Sequence, residues 1–170
     1  RARPEQVQGI IAGGSHALTH SIEGAEDDPE AGARAVQFRG VNKKDVLIGI
    51  AASGRTPFVW GAMEEASARG ARTALVCFNP HIRRRACVPQ LIVAPAIGPE
   101  VLTGSTRLKA GTATKLILNC ITTLAMVQLG KVAGNLMVDL DPKNEKLRAR
   151  AVRIVQTLAG TGATTAKAAM

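Results

Sequence analysis

At 170 residues the chain is long enough for one domain with a hydrophobic core, and 46% of it is apolar although only 2% is aromatic. The core must therefore be built from Ala, Val, Leu and Ile, and with one Trp and no Tyr there is no stacking platform for single-stranded nucleic acid. The formal charge is +9, from 22 Lys and Arg against 13 Asp and Glu, but the basic residues are dispersed except at 81–85 and 143–153, which favours anionic metabolites over a polynucleotide partner.

Residues 6–12 predict a short strand ending at Gly13-Gly14, and Ser15 is suited to cap a helical stretch running toward Ile22. An acidic connector spans 23–28. Asp28 as cap and Pro29 at the first helical position predict a helix to about Phe38. The near-continuous apolar run at 45–52 has the pattern of a buried parallel strand. Pro57 opens a helix over 57–69 that Gly70 ends. Strands over 72–78 and 91–94 follow, then a long helix over about 106–129, a segment at 131–139 and a helix over about 144–158. Residues 160–170 read as a flexible tail beyond a domain that occupies 1–159.

This alternation predicts an α/β fold, a doubly wound and mostly parallel sheet flanked by helices, with its ligand beyond the carboxyl ends of the strands. The best candidate for a membrane span, 116–129, is too short and too rich in Thr, Asn and Gln. The first residues have no signal-peptide core, so the reading is a soluble, cytoplasmic protein with no membrane partner. Cys77, Cys87 and Cys120 lack C-x-x-C spacing, and Cys77 and Cys120 fall in apolar settings suited to small buried hydrophobes. His16, His20 and His81 do not cluster with carboxylates, and no metal is expected.

Two segments carry the chemistry. In Ala51-Ala-Ser-Gly-Arg-Thr-Pro57, Gly54 allows a close backbone approach, Ser53 and Thr56 supply hydroxyls, Arg55 supplies charge, and the following helix supplies free N–H groups. The spacing is not that of a Walker A loop, which argues against a nucleoside triphosphate. In Gly98-Pro-Glu-Val-Leu-Thr-Gly-Ser-Thr-Arg-Leu-Lys109, Ser105 and Thr106 repeat the arrangement. There Arg107 and Lys109 oppose the dipole at the amino end of the helix they open, so an anion is expected there, and a bound phosphate would serve. The crowded carboxylates of Glu23, Glu26, Asp27 and Asp28 should raise one another's pKa and prepare one of them for acid–base work. Each segment also has a plainer reading, as a capped turn or a solvated acidic loop, and the residues alone leave both open.

These runs, together with Glu23-Gly-Ala-Glu-Asp27 and Gly130-Lys-Val-Ala-Gly-Asn-Leu-Met-Val-Asp139, resemble the N-acetylmuramic acid 6-phosphate etherases. Those enzymes share a sugar isomerase (SIS) domain with glucokinase regulatory protein, and the resemblance runs from about Pro4 to Gln156. It implies a lyase of cell-wall recycling and amino-sugar catabolism that cleaves a D-lactyl ether by elimination and hydration. It implies no metal or redox cofactor, and exposed sheet and helix faces point to a dimer of like chains. Glu26 is the residue that matches one of the family's two acid–base glutamates. Ser53, Gly54, Arg55, Thr56, Ser105, Thr106 and Lys109 match its sugar-phosphate segments. The second glutamate and a first phosphate loop belong to a part of the family's pattern that precedes Pro4. By this resemblance the sheet is incomplete at the N-terminus, the chain is truncated at both ends, and its activity is low. An identical partner chain would not supply the second glutamate. The alternative function implied is a non-catalytic sugar-phosphate-binding regulator. The basic run His81-Ile-Arg-Arg-Arg85 departs from the small and polar residues usual in the family, and its simplest reading is a solvated loop.

Overall fold

Asp28 and Pro29 set the first helix as the sequence requires. The Asp28 carboxylate accepts the Ala31 N–H at 2.8 Å, and α1 runs Pro29–Phe38. The computed structural model describes residues 2–85 and 88–170, so Cys87 lies outside the described residues. Among these, Gln8–Ile117 form one unit, and Leu118–Met170 with the N-terminal residues up to Val7 form another.

In the first unit, β1 (Val46–Ile50), α2 (Pro57–Ala68), β2 (Arg72–Val76) and β3 (Leu91–Val93) build a three-stranded parallel sheet in the order β1-β2-β3. Ile48 lies opposite Ala74, and Ala74 opposite Leu91. The architecture is the expected α/β one, a parallel sheet flanked by helices. Helix α2 is its centre, packing against β1, β2 and α1. Trp60 and Met63 meet Leu75 and Cys77, while Ala62 and Ala66 join Val36 and Ala71. Burying each of the larger side chains contributes about 1.5–3 kcal/mol.

Glycine makes the α1–α2 approach this close. A Cβ on Gly32 would fall 2.0 Å from the Phe58 carbonyl oxygen, and one on Gly61 would fall 1.9 Å from that of Pro29. Gly49 does the same between sheet and helix, where a Cβ would meet Val59 at 2.7 Å.

The strand expected over 6–12 is not formed. Val7 and Ile11 are exposed, only Ile10 reaches the core, and the Gly9 carbonyl accepts the Arg39 guanidinium at 3.2 Å instead of joining a ladder. The segment makes no ladder pairing, although β1 pairs with β2 alone and keeps its other edge open, and an extended segment without a partner is not a strand. The helix expected from Ser15 is a 3-10 helix over Gly14–Leu18 that follows Gly13 in the left-handed region. Ala25–Asp27, which carries Glu26, is a second 3-10 helix.

Helix α3 (Lys109–Gln128) starts in the first unit and continues into the second. Counted from Lys109 it has 20 residues and a mean hydropathy of 1.3 in its most apolar window, so it is long and apolar enough to cross a membrane. The sequence reading began the stretch at Leu116 and found it too short. Within α3 Ala110 is buried and the remaining residues are partly or fully exposed. Cys120, expected to be buried within α3, is exposed, and Cys77 is buried, which pushes its thiol pKa up.

In the second unit, β4 (Val132–Ala133) and β5 (Leu136–Met137) form a short hairpin, closed by an ion pair between Lys131 and Asp139. Lys131 holds the Asp139 carboxyl below its ordinary pKa. Asn144 caps α4 (Glu145–Ala159) by accepting the Leu147 N–H at 2.9 Å, and Gly160 ends it in the left-handed region. The stretch read as a flexible tail carries α5 (Ala163–Ala168), which packs on α4 through the fully buried Ala166.

Candidate functional site

Where β1 ends, the ladder continues for one more step, with Ala51 N–H on the Val76 carbonyl at 3.0 Å and Phe78 N–H on that of Ala52 at 2.8 Å. The chain then turns sharply through Gly54 at φ 72°. The Arg55 N–H donates to Ser53 Oγ at 3.2 Å, and the Asn79 amide reaches the Ser53 carbonyl at 3.4 Å. Trp60 Nε1 donates to the Gly54 carbonyl at 2.8 Å. Thr56 stands at the N-cap of α2 but makes no capping bond with its side chain, and Pro57 has no N–H to be capped. The Ser53–Thr56 turn thus keeps its hydroxyls at the carboxyl edge of the sheet, where the α/β pattern expects a ligand.

The second segment behaves differently. Helix α3 begins at Lys109 rather than 106, and the residues before it form turns. Both oxygens of the Glu100 carboxylate accept backbone N–H groups of the first helical turn, Lys109 and Ala110, each at 2.9 Å. The Ala110 and Lys109 amides, with the Lys109 charge, hold the Glu100 carboxyl below its ordinary pKa. The anion that the charge argument demanded at this helix end is therefore the chain's own. The Lys109 ammonium donates to the Ile97 carbonyl at 3.2 Å, and Lys109 lines neither of the cavities described next.

A cavity of about 250 Å³ is lined by Ser53, Arg55, Asn79, Glu100 and Thr106, among others. A larger one, about 700 Å³, is lined by His20, Glu26, Ser53, Thr56, Thr106 and Arg107 with residues 47–50 of β1. The second lies in the usual size range of small-molecule sites. Ser53 and Thr106 line both, so the two hydroxyl-bearing turns do face one crevice, and Glu26 stands on its wall. Ser105 lines neither; it is partly buried and its N–H is spent on the Leu102 carbonyl at 3.0 Å. Gly54 lines neither as well, and its part is to shape the turn.

The acidic connector does not act as one electrostatic unit. The Ala31 N–H, assisted by Arg34, lowers the Asp28 pKa, the reverse of the rise expected from crowded carboxylates. Asp28 is occupied as a helix cap, and the Glu23 carboxylate accepts the Ser21 hydroxyl at 2.8 Å. Only Glu26 of the four lines the crevice. Sequence reasoning overlooked Glu100, Asn79 and Trp60. A carboxylate nine positions ahead of a helix that opens with Lys was the available signal for the first.

Comparison with known proteins gives a consistent result. Residues 2–67 match the profile of the glucokinase regulatory protein N-terminal SIS domain. The chain is 54% identical over 151 residues to N-acetylmuramic acid 6-phosphate etherase of Actinobacillus pleuropneumoniae serotype 7 (strain AP76), covering 89% of the chain and 49% of that protein. It is 55% identical over 163 residues to the protein of that name from Gloeobacter violaceus, covering 91% of the chain and 50% of the relative. The Klebsiella aerogenes counterpart is 50% identical over 168 residues, covering 99% and 56%. The chain thus spans about half the length of the curated relatives it matches.

Proposed function

The chain belongs to the N-acetylmuramic acid 6-phosphate etherase family, and we propose that its crevice binds a phosphorylated amino sugar and serves cleavage of the D-lactyl ether of N-acetylmuramic acid 6-phosphate. The products are N-acetylglucosamine 6-phosphate and D-lactate. The phosphoryl group sits at the Ser53–Thr56 turn, where the Ser53 and Thr56 hydroxyls and the Arg55 guanidinium surround it. Thr106 and Arg107 approach from the facing turn. Glu26 exchanges protons with the sugar as lactate leaves by elimination and water adds back. No metal or redox step is needed for this chemistry.

One observation carries the reading: Glu26, Ser53, Thr56 and Thr106 line a single cavity of about 700 Å³. On the same reading the protein works in the cytoplasm as a homodimer. The regulator alternative is weaker, because the named relatives are etherases. Calorimetric titration tests the proposal. N-acetylglucosamine 6-phosphate is expected to bind well and the unphosphorylated sugar poorly, and equal affinity for the two would refute the reading. Glu26→Gln should leave phosphosugar affinity within about threefold while lowering the chain's already slow D-lactate release further.

A further inference from the structure

The indole of Trp60 is buried within the core, yet its one polar atom is directed at the turn rather than at the sheet. Trp60 Nε1 donates to the Gly54 carbonyl at 2.8 Å. A trans peptide is planar, so its C=O and N–H point to opposite sides. Drawing the Gly54 carbonyl inward therefore turns the Arg55 N–H outward, and there it meets Ser53 Oγ at 3.2 Å. Ser53 and Arg55 both line the smaller cavity.

The indole is itself held in place. The Arg85 guanidinium lies 4.5 Å from the ring centroid, a cation–π distance. Ile82 backs the turn so tightly that a Cβ on Gly54 would fall 2.9 Å from its Cδ1. Part of the basic run at 81–85, read from sequence as a solvated loop, thus packs behind the turn.

We propose that Trp60 is a positioning residue for phosphoryl binding: by gripping the Gly54 carbonyl it holds the Arg55 N–H on Ser53 Oγ, which leaves the Ser53 O–H free to donate into the crevice. The proposal rests on the reading that this turn receives the phosphoryl group. Without the indole N–H, the Gly54–Arg55 peptide is free to rotate, and the Ser53 hydroxyl loses the bond that orients it before an anion arrives. The residue therefore governs discrimination between phosphorylated and unphosphorylated sugar, not affinity for the sugar ring.

Trp60→Phe keeps a buried aromatic ring and removes the donor. In calorimetric titrations of the full chain it is expected to weaken N-acetylglucosamine 6-phosphate binding about tenfold and to leave N-acetylglucosamine binding unchanged. A general loss of structure would weaken both. A native chain that prefers the phosphosugar, with the preference intact in W60F, overturns the positioning role alone. A native chain indifferent to the phosphoryl group refutes the proposed function, and this role with it. If W60F does not fold, the native protein answers the question, because it has a single Trp and hence one indole N–H resonance. Saturating N-acetylglucosamine 6-phosphate is expected to shift that resonance and N-acetylglucosamine to leave it in place; no shift with the phosphosugar overturns the proposal.

Discussion

Two turns in this molecule carry nearly the same chemical signature and have opposite electrostatic states. Ser53-Gly54-Arg55-Thr56 and Gly104-Ser105-Thr106-Arg107 both combine small residues, hydroxyls and an Arg ahead of a long helix. The helix that follows the first has no side-chain cap. The one that follows the second has its first two N–H groups bound by Glu100. Helix ends attract anions in either case, and what differs is whether the chain has already supplied one. A hydroxyl-rich helix start is thus an anion site only when no internal carboxylate reaches it. The Ser53 turn is the open member of the pair, and the second turn contributes a wall.

The comparison is most directly broken at the open turn. Replacing Ser53 and Thr56 together by Ala removes two donors to a charged group, and hydrogen bonds to charged partners contribute about 1.5–3 kcal/mol each. Phosphosugar affinity is expected to fall by about 10²–10⁴-fold in calorimetry. The fold should be retained, since Thr56 makes no capping bond with its side chain and Ser53 gives up only the bond it accepts from the Arg55 N–H. Affinity preserved in S53A/T56A would move the phosphoryl group away from this turn.

The occupied turn is sharpened by acid and by Glu100→Ala. The folded pKa of Glu100 lies below the ordinary value of 4.5 because backbone amides bind the charged form. Its contribution to stability is therefore complete above about pH 4.5 and is lost as pH falls through the depressed folded value. Urea unfolding of E100A against the native chain should show a gap that is widest above that pH and closes below it. The removal also leaves the Lys109 and Ala110 amides without their anion. Added inorganic phosphate should then stabilise E100A more than the native protein, and equal responses would mean that Glu100 is not the occupant described.

These two turns also explain how far the sequence could be read. The Asp28-Pro29 helix start and the three parallel strands follow from signals that are local in the chain, caps and apolar runs. The 6–12 segment has a strand-like composition, but a strand is defined by its pairing, and this segment joins no ladder even though β1 has an open edge. The α1–α2 contact through Gly32 and Gly61 could not be seen, because each glycine answers to a carbonyl on the other helix. At the site, Ser53, Thr56, Thr106 and Glu26 were legible from hydroxyls at helix starts and the acidic connector. Lys109 was misleading for a physical reason. Its charge correctly signalled a nearby anion, but the anion was nine residues upstream, and the ammonium was drawn to the Ile97 carbonyl.

Ser105 provides the smallest expected effect and the most exacting check. It sits beside Thr106 in the motif and has the same hydroxyl, so a motif-based assignment treats the two alike. The geometry separates them: Thr106 lines both cavities and Ser105 lines neither. Its backbone N–H is already committed to the Leu102 carbonyl, a bond that survives any side-chain change. Ser105→Ala should therefore change phosphosugar affinity by less than about twofold, within the range of substitutions away from specific contacts. Thr106→Ala should cost about three- to tenfold, the loss of one crevice hydroxyl. Reversed magnitudes in parallel titrations would mean that the turn before α3 rotates on binding, and that Glu100 releases the helix end when phosphate arrives.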